Sequence, residues 1–258
     1  VNVLNGFSAA QIHLTAHSNI WKGEVDEDHR CVNERLWDWW PLARDRAGVP
    51  AERFEDSRDY VRSISELRPI YVKRDGHPIT LKRYDSFLDY FGCDEAMGED
   101  IEGRPIPVTP APEDIDVHNS CYWYNARVSR YFTVENRVMD QQPPDELTTP
   151  AALTLGLVSA IDEATECLDR YPWDALRDAR TAACLREEEE EAPAAPLEGL
   201  SDAMLEVAEL GLKRRGLGEE EFLEPLAERN AHGVCPAVDA EEHFKEGGIE
   251  GLVEATQI

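Results

Sequence analysis

Charged and apolar side chains alternate closely in residues 121–144, which read CYWYNARVSRYFTVENRVMDQQPP. At the two-residue period of a β-strand, Thr133, Glu135 and Arg137 share one face. The other face carries a mostly apolar set that we expect in the core: Phe132, Val134, Asn136 and Val138. Arg127 gives the preceding strand a similar polar face, so two neighbouring strands can present Arg127, Glu135 and Arg137 to one concavity. A carboxylate and two guanidinium groups placed in this way are suited to binding an anion together with a metal ion.

The same alternation is also typical of a strand whose polar face is simply solvated in an antiparallel sheet. In that interpretation Glu135 and Arg137 are ordinary surface residues that share no ligand. The two interpretations differ in whether these side chains face a cavity.

Two histidines near the start of the chain suggest a second, weaker metal hypothesis. His13 and His17 are four residues apart and would share one face of a helix, which is a metal-ligand spacing. The zinc-protease motif has glutamate directly after the first histidine, whereas Leu14 stands here. We therefore favour ordinary packing or polar contacts at a helix end for both histidines.

Helices and one clear hairpin are predicted around the charged stretch. The hairpin covers residues 69–81, where the Asp75-Gly76 pair favours the positive φ angles of a tight turn. Residues 92–112 lack a sustained period and are predicted to form a surface loop, either a lid or a solvated insertion. Helical periodicity predicts helices over residues 9–15, 33–40, 54–67, 84–91, 148–168, 173–185, 204–212, 219–229 and 240–245.

These elements predict an α+β fold in which an antiparallel sheet is covered by helices and followed by a helical C-terminal tail. Residues 1–185 would form the catalytic portion of sheet and helices. Residues 186–197 would be an acidic, proline-rich linker, because five consecutive glutamates are followed there by Ala-Pro-Ala-Ala-Pro. Residues 198–258 would form a small helical C-terminal segment.

The excess of acidic over basic residues argues against nucleic acid and anionic membranes as binding partners. The chain has 53 acidic and 26 basic residues, a formal net charge of -27, and only five of the basic residues are lysines. Such a surface repels nucleic acid and anionic membranes and stays hydrated in concentrated salt. We interpret it as halophilic adaptation, with an acidic interaction protein as the alternative.

The cysteines and the apolar segments favour a cytoplasmic protein. The six cysteines are scattered without a C-x-x-C pair, so reduced thiols are expected rather than disulfides or a zinc site. No apolar run approaches the ~18 residues of a membrane helix, and no basic and apolar leader is present. The chain begins with Val1, which indicates a piece of a longer protein or an unusual initiation codon.

An ordered set of motifs along the chain resembles the later portion of the glutamate-cysteine ligases, in the carboxylate-amine ligase branch. The set includes the segment AHSNIWKGE, the PIYVKR hairpin and the RGLG turn of the helical tail. The residues that carry the similarity most closely are Arg35, His118, Arg127, Arg130, Tyr131, Glu135, Asn136, Arg137 and Asp140. The resemblance implies that the sheet is a partial half-barrel like that of glutamine synthetase.

The activity that this resemblance implies is the ATP-dependent joining of glutamate and cysteine to γ-glutamylcysteine, a step of glutathione biosynthesis. ATP and Mg²⁺ would be the cofactors. By the same resemblance Arg127 and Arg137 would be catalytic residues facing ATP phosphate or the glutamate carboxylates, and Glu135 would be a metal ligand. The residues implied in substrate or ATP binding are Arg35, His118 and Asp140.

One departure from the family leaves alternatives open. The family's opening strand, with its closely spaced glutamates that bind further metal ions, has no counterpart in this sequence. The first hypothesis is therefore a ligase that is active only when an amino-terminal segment completes it. The second is a non-catalytic binding or regulatory protein with the same fold, and the third is a ligase that uses another amine acceptor.

Overall fold

The computed structural model describes residues 1–35, 40–41, 43, 45–186 and 199–257. These residues form an α+β fold with small, mostly antiparallel sheets and a helical C-terminal end, which confirms the predicted fold class. Within them the helices are α1 Asn2–Gly6, α2 Ser8–Thr15, α3 Val32–Arg35, α4 Ser57–Glu66, α5 Phe87–Phe91, α6 Glu113–Asn119, α7 Thr149–Ser159, α8 Ile161–Leu168, α9 Trp173–Ala183, α10 Leu200–Arg215, α11 Glu224–His232 and α12 Ala237–Thr256. The strands are β1 Ile20–Trp21, β2 Glu24–Val25, β3 Ala47–Gly48, β4 Tyr71–Arg74, β5 His77–Thr80, β6 Ala96–Glu99, β7 Pro105–Val108, β8 Trp123–Tyr124, β9 Ala126–Val128 and β10 Val134–Asn136.

The largest hydrophobic core lies among the helices and is centred on α2. This helix is buried on nearly all sides, as its apolar sequence around Ile12 and Leu14 requires. Residues of α7, α8, α9 and α10 complete the same core. The helices that follow the proposed linker thus pack on those that precede it. Most of the linker itself, residues 187–197, lies outside the described residues, as do residues 36–39 of the helix expected over residues 33–40.

Helices α7 and α10 cross at two glycines. A Cβ atom at Gly156 would lie 2.3 Å from the carbonyl oxygen of Ala208, and one at Gly211 would lie 2.0 Å from that of Gly156. Because both neighbours are backbone atoms, neither helix has room for a methyl group unless the helices separate.

The single helix expected over residues 148–168 is divided at Ala160, where the backbone leaves the helical region.

A four-stranded antiparallel sheet in the order β4-β5-β6-β7 has a core of its own, contributed by Val72, Ile79, Leu81, Phe87, Tyr90, Ala96 and Val108. The predicted hairpin forms its first half, and Asp75 and Gly76 both have positive φ, at 51° and 79°. The prediction of a surface loop over residues 92–112 is wrong, because β6 and β7 lie there. Pro105 and Pro107 argue against a strand at the sequence level, because proline has no N–H to donate to a neighbouring strand. Strand β7 is at the edge of the sheet, where residues two apart can both direct this position away from β6, so the two prolines are tolerated.

A buried carboxylate joins this sheet to α6. Asp114 accepts hydrogen bonds from both terminal nitrogens of Arg74, at 2.6 and 2.8 Å, and from the Tyr90 hydroxyl at 2.7 Å. Burial alone would raise the pKa of Asp114, but these donors and the Ala111 backbone N–H lower it overall. The sheet and α6 are therefore coupled through an ionised group.

No helix among the described residues combines the length and the apolar character needed to cross a membrane.

We expect Gly156→Ala and Gly211→Ala each to lower the free energy of unfolding by about 3 kcal/mol, because overpacking here meets backbone. Denaturant unfolding followed by circular dichroism measures the change. Gly247→Ala is the matched control, because a methyl group there would meet no atom within 4 Å and the helix would gain a better helix former. Equal stability of all three variants would contradict the close crossing.

Asp114→Asn is expected to lower stability near neutral pH by about 2 kcal/mol, because the hydrogen bonds to a charged group are lost. A carboxyl whose folded pKa is depressed stabilises the protein above its unfolded pKa, and this contribution disappears as pH falls through the folded value. The difference between wild type and variant should therefore shrink on acidification. Asp85→Asn breaks an exposed pair with Arg68 and should have little effect at any pH.

Candidate functional site

The charged pair at the centre of the candidate site is made by the antiparallel hairpin of β9 and β10. Glu135 is paired in register with Arg127, and the Nε atom of Arg127 donates to Glu135 Oε2 at 2.8 Å. Nη1 of Arg127 also donates to the carbonyl oxygens of Asn119 and Tyr122, both at 3.1 Å, and its guanidinium lies over the Tyr122 ring. The Arg127 guanidinium is thus held in one orientation beside the carboxylate of Glu135.

Arg137 extends the same polar row by one step. Its backbone N–H donates to the Asn125 carbonyl oxygen at 2.8 Å, which continues the β9 and β10 pairing beyond the strands. Its side chain is half-buried, and Nη1 is buried with no hydrogen-bond partner among the described residues. Burial lowers the pKa of Arg137, and the neighbouring positive charge of Arg127 lowers it further. The fold therefore holds a cationic donor that needs an acceptor.

The apolar face expected for this strand is only partly correct. Phe132 lies in the turn and is 91% exposed, and Val134 is 48% exposed, whereas Val138 is buried. The strand begins two residues later than expected, because the chain turns at Phe132 with a φ of 59°. Asn136 nevertheless points inward and donates to Gln11 and Thr154.

A buried ion pair lies next to this row. The carboxylate of Glu34 accepts from Arg180 Nη2 at 2.9 Å and also from the Asn125 side chain, while Arg180 Nε donates to Asn125 Oδ1 at 3.1 Å. Burial raises the pKa of Glu34, and Arg180 and Asn125 oppose that rise. The charge of Glu34 also acts on Arg137, which places the pair beside the hairpin.

Arg180 also lines an open cleft of about 310 Å³, and Arg35 lies in the same cleft. The other residues along it are Ala47, Gly48, Val49, Arg177, Asp178 and Thr181. Gly48 has a φ of 69°, and a Cβ there would come within 3.2 Å of the Arg180 guanidinium. Among the described residues that line this cleft there are three arginines and one carboxylate, and Arg180 is already paired with Glu34. Arg35 and Arg177 still give the cleft a locally cationic lining on a strongly acidic chain, which is suited to an anionic ligand.

The structure places His118 away from the cleft, in a small aromatic contact. Its ring stacks on Phe87 with the centroids 4.2 Å apart, and Nε2 lies 2.8 Å from the Ile64 carbonyl oxygen. Burial lowers the pKa of His118, so a neutral ring is favoured. His118 directly precedes Asn119, whose carbonyl holds Arg127.

Asp140 lies at a neighbouring pocket of about 400 Å³. Its buried carboxylate accepts from the His17 backbone N–H at 2.8 Å, the Ser18 hydroxyl at 2.7 Å and the Asn33 amide at 3.3 Å. Its negative charge contributes to the raised pKa of Glu34. Asp140 therefore joins the segment after α2 to the start of α3, which carries Glu34 and Arg35.

The possible metal ligands are sparse in this region. Among the described residues, a group of three side chains with metal-binding spacing occurs only at Asp26, Asp28 and His29, in a surface loop. Glu135, His13 and His17 do not belong to it. His17 follows α2 rather than lying within it, and its Nδ1 is 2.8 Å from the Gln141 carbonyl oxygen.

Sequence reasoning missed Glu34, Asn125, Arg177 and Arg180. One signal was available: Arg180 occupies the same helix stripe as Leu176, Ala179 and Ala183, which are all buried. An arginine within an apolar stripe requires a buried acceptor. The sequence does not show which carboxylate supplies it.

Comparison with protein-family models matches the chain to glutamate-cysteine ligase family 2 over residues 4–255. A search of curated proteins finds no match.

Arg180→Met is expected to lower the free energy of unfolding by about 4 kcal/mol, because the Glu34 carboxylate would remain buried without its cation. Adding Glu34→Gln should recover part of that loss, since the buried charge is then removed. Denaturant unfolding of the two single variants and the double variant measures the coupling. Strictly additive losses would show that the two side chains do not depend on each other.

Proposed function

Because the chain belongs to glutamate-cysteine ligase family 2, a family of ligases, we propose that it catalyses ATP-dependent formation of a γ-glutamyl amide bond. The proposed substrates are glutamate, cysteine and ATP, and the product is γ-glutamylcysteine. The observation that carries the assignment to this site is the buried Nη1 of Arg137, which lies beside Arg127 and Glu135 and has no hydrogen-bond partner within the described part of the chain. A phosphate or carboxylate oxygen would supply the missing acceptor.

The proposed reaction has two displacements. An oxygen of glutamate's side-chain carboxylate attacks the γ-phosphorus of ATP, the bond to the bridging oxygen breaks, and ADP leaves. The amine of cysteine then attacks the carbonyl carbon of the acyl phosphate. The bond between this carbon and the phosphate oxygen breaks, and inorganic phosphate leaves with the electron pair of that bond. The amine proton passes to phosphate or solvent. Negative charge develops on phosphoryl oxygens in both steps, where fixed guanidinium groups stabilise it.

Arg137 and Arg127 are the proposed catalytic residues. Nη1 of Arg137 would donate to a phosphoryl oxygen, and this contact would also offset the cost of burying the unpaired donor. Arg127 is already oriented by Glu135 and by two carbonyl oxygens, so little reorganisation is needed when the ligand arrives.

Arg35 is the proposed contact for the amino-acid substrate, because it shares the cationic cleft with Arg177 and Arg180. Asp140 and His118 are proposed as supporting residues. Asp140 fixes the chain before α3, and His118 packs α6 so that the Asn119 carbonyl reaches Arg127.

The chemistry of Glu135 fits a single Mg²⁺ ligand. One carboxylate oxygen is used by Arg127, and the other has no hydrogen-bond partner among the described residues. Mg²⁺ commonly binds through one or two carboxylates, phosphate oxygens and several waters. When bound, Mg²⁺ would neutralise charge on the ATP phosphates.

Arg137→Met in the natural full-length protein should lower the rate of glutamate-dependent and cysteine-dependent ADP release roughly 100-fold or more, because a fixed donor to the transition state is lost. Arg137→Lys should recover little, since a lysine ammonium cannot reproduce the guanidinium geometry. Arg104→Met is the matched control, because the ion pairs of Arg104 with described residues are those with Asp100 and Glu102, in an exposed turn. Activity of Arg137→Met equal to that of the control would remove Arg137 from the mechanism.

Glu135→Gln should raise the Mg²⁺ concentration needed for half-maximal ADP release, because the amide is a weaker ligand than the carboxylate. The measurement is a magnesium titration at saturating ATP, with unfolding curves to show that the hairpin remains intact. An unchanged magnesium titration would contradict the assignment of Glu135 as a metal ligand without affecting the assignment of Arg137.

The amine acceptor is identified by mass analysis of the product, with cysteine and other amines offered in turn. An absence of ADP release with every amine would favour a binding protein.

A further inference from the structure

The tip of the β9 and β10 hairpin exposes two aromatic rings. Tyr131 is 71% exposed and Phe132 is 91% exposed. Two backbone hydrogen bonds close the turn that carries them: Ser129 N–H donates to the Thr133 carbonyl at 2.8 Å, and Phe132 N–H donates to the Ser129 carbonyl at 3.0 Å. Phe132 adopts a φ of 59°, which is unfavourable for a phenylalanine. The fold thus maintains strained backbone while presenting apolar rings to solvent.

The tip also carries a positive charge on a chain whose formal net charge is -27. Arg130 is exposed, and its guanidinium lies 4.7 Å from the centre of the Tyr131 ring. Stacking on the ring keeps the cation close to the apolar surface. The tip formed by Arg130, Tyr131 and Phe132 therefore has the composition of an interface anchor.

A groove with the complementary composition lies on another part of the molecule. It measures about 800 Å³ and lies between α10, the 3₁₀ helix Glu219–Leu223 and α11. Its apolar lining comprises Leu205, Leu223, Ala227 and Ala231. Its acidic lining comprises Asp202, Glu206, Glu209, Glu220, Glu221 and Glu224.

The groove has charge available for a cationic ligand. Within the described part of the chain, Glu209 forms an ion pair with Lys213, whereas Glu206, Glu220, Glu221 and Glu224 form none. No residue of the hairpin lines the groove, so the two surfaces are separate and can be occupied at the same time.

We propose that the hairpin tip of one copy of this protein docks in the acidic groove of a second copy. Phe132 and Tyr131 lie against the apolar lining, and Arg130 lies among the rim carboxylates. Opposite charges at tip and groove favour this pairing over contact between two tips or between two grooves, where like charges would meet. The contact is head-to-tail, so each copy offers one surface to each of two neighbours. Two aromatic anchors make a small interface, and the association is therefore weak and dependent on concentration.

Two variants separate the two surfaces. Tyr131→Ser with Phe132→Asn removes the rings from the tip, and asparagine tolerates positive φ, so the turn is kept. Glu206→Lys with Glu224→Lys reverses charge in the groove. Glu246→Lys with Glu250→Lys makes the same change in net charge on exposed positions of α12 and serves as the control.

Sedimentation equilibrium over a concentration series, at a salt concentration where circular dichroism shows all variants folded, tests the proposal. Wild type and control should gain mass with concentration, and the tip and groove variants should each associate at least about tenfold more weakly. An equimolar mixture of the two defective variants should form a dimer and nothing larger, because one intact tip still meets one intact groove. A monomeric wild type, a groove variant that associates normally, or a mixture that stays monomeric would each overturn the proposal.

Discussion

The antiparallel register between β9 and β10 is the constraint on which the candidate site depends. A slip of one residue would turn Glu135 and Arg137 to the opposite face and separate Glu135 from Arg127. The hairpin is too short to fix this register alone, because each strand has only three residues. Buried side chains from other elements fix it instead. The Asn5 amide bonds both the N–H and the carbonyl of Ala126, at 2.9 Å each, and Asn136 is held by Gln11 and Thr154.

Burial decides which charges of this acidic chain contribute to the site. In molar salt the Debye length falls to about 3 Å, so exposed pairs are largely screened. The pair of Glu34 and Arg180 is almost completely buried and keeps its interaction. Arg137 is half-buried beside it. Arg137 and Arg180 are therefore screened less by solvent ions than the exposed charges of the chain, and their charges can act locally within a protein of large negative net charge.

Local sequence determined much of the fold and one part of the site. The hairpin over residues 69–81 follows from its Asp75-Gly76 turn, and α4 begins where Asp56 can cap it. The pairing of Arg127 with Glu135 follows from strand alternation once two adjacent strands are assumed. Strands β6 and β7 were missed because their prolines and glycine are unfavourable in most strands but are tolerated on this sheet. The partners of Glu34 and Asp140 come from distant parts of the chain, such as Arg180 and His17, and no local period encodes such contacts.

Nη1 of Arg137, which has no hydrogen-bond partner among the described residues, would link the stability of the fold to the proposed binding of an anion. A buried guanidinium nitrogen without an acceptor costs free energy, and the positive charge of Arg127 nearby adds to that cost. The surrounding framework tolerates this cost because Asn5, Asn125 and Asn136 hold the hairpin independently of Arg137's side chain. An anion that accepts from Nη1 relieves the cost only in the folded state. Under the proposed function, binding and folding would therefore stabilise each other, because the arrangement that lowers the stability of the fold is the one that favours an anionic ligand.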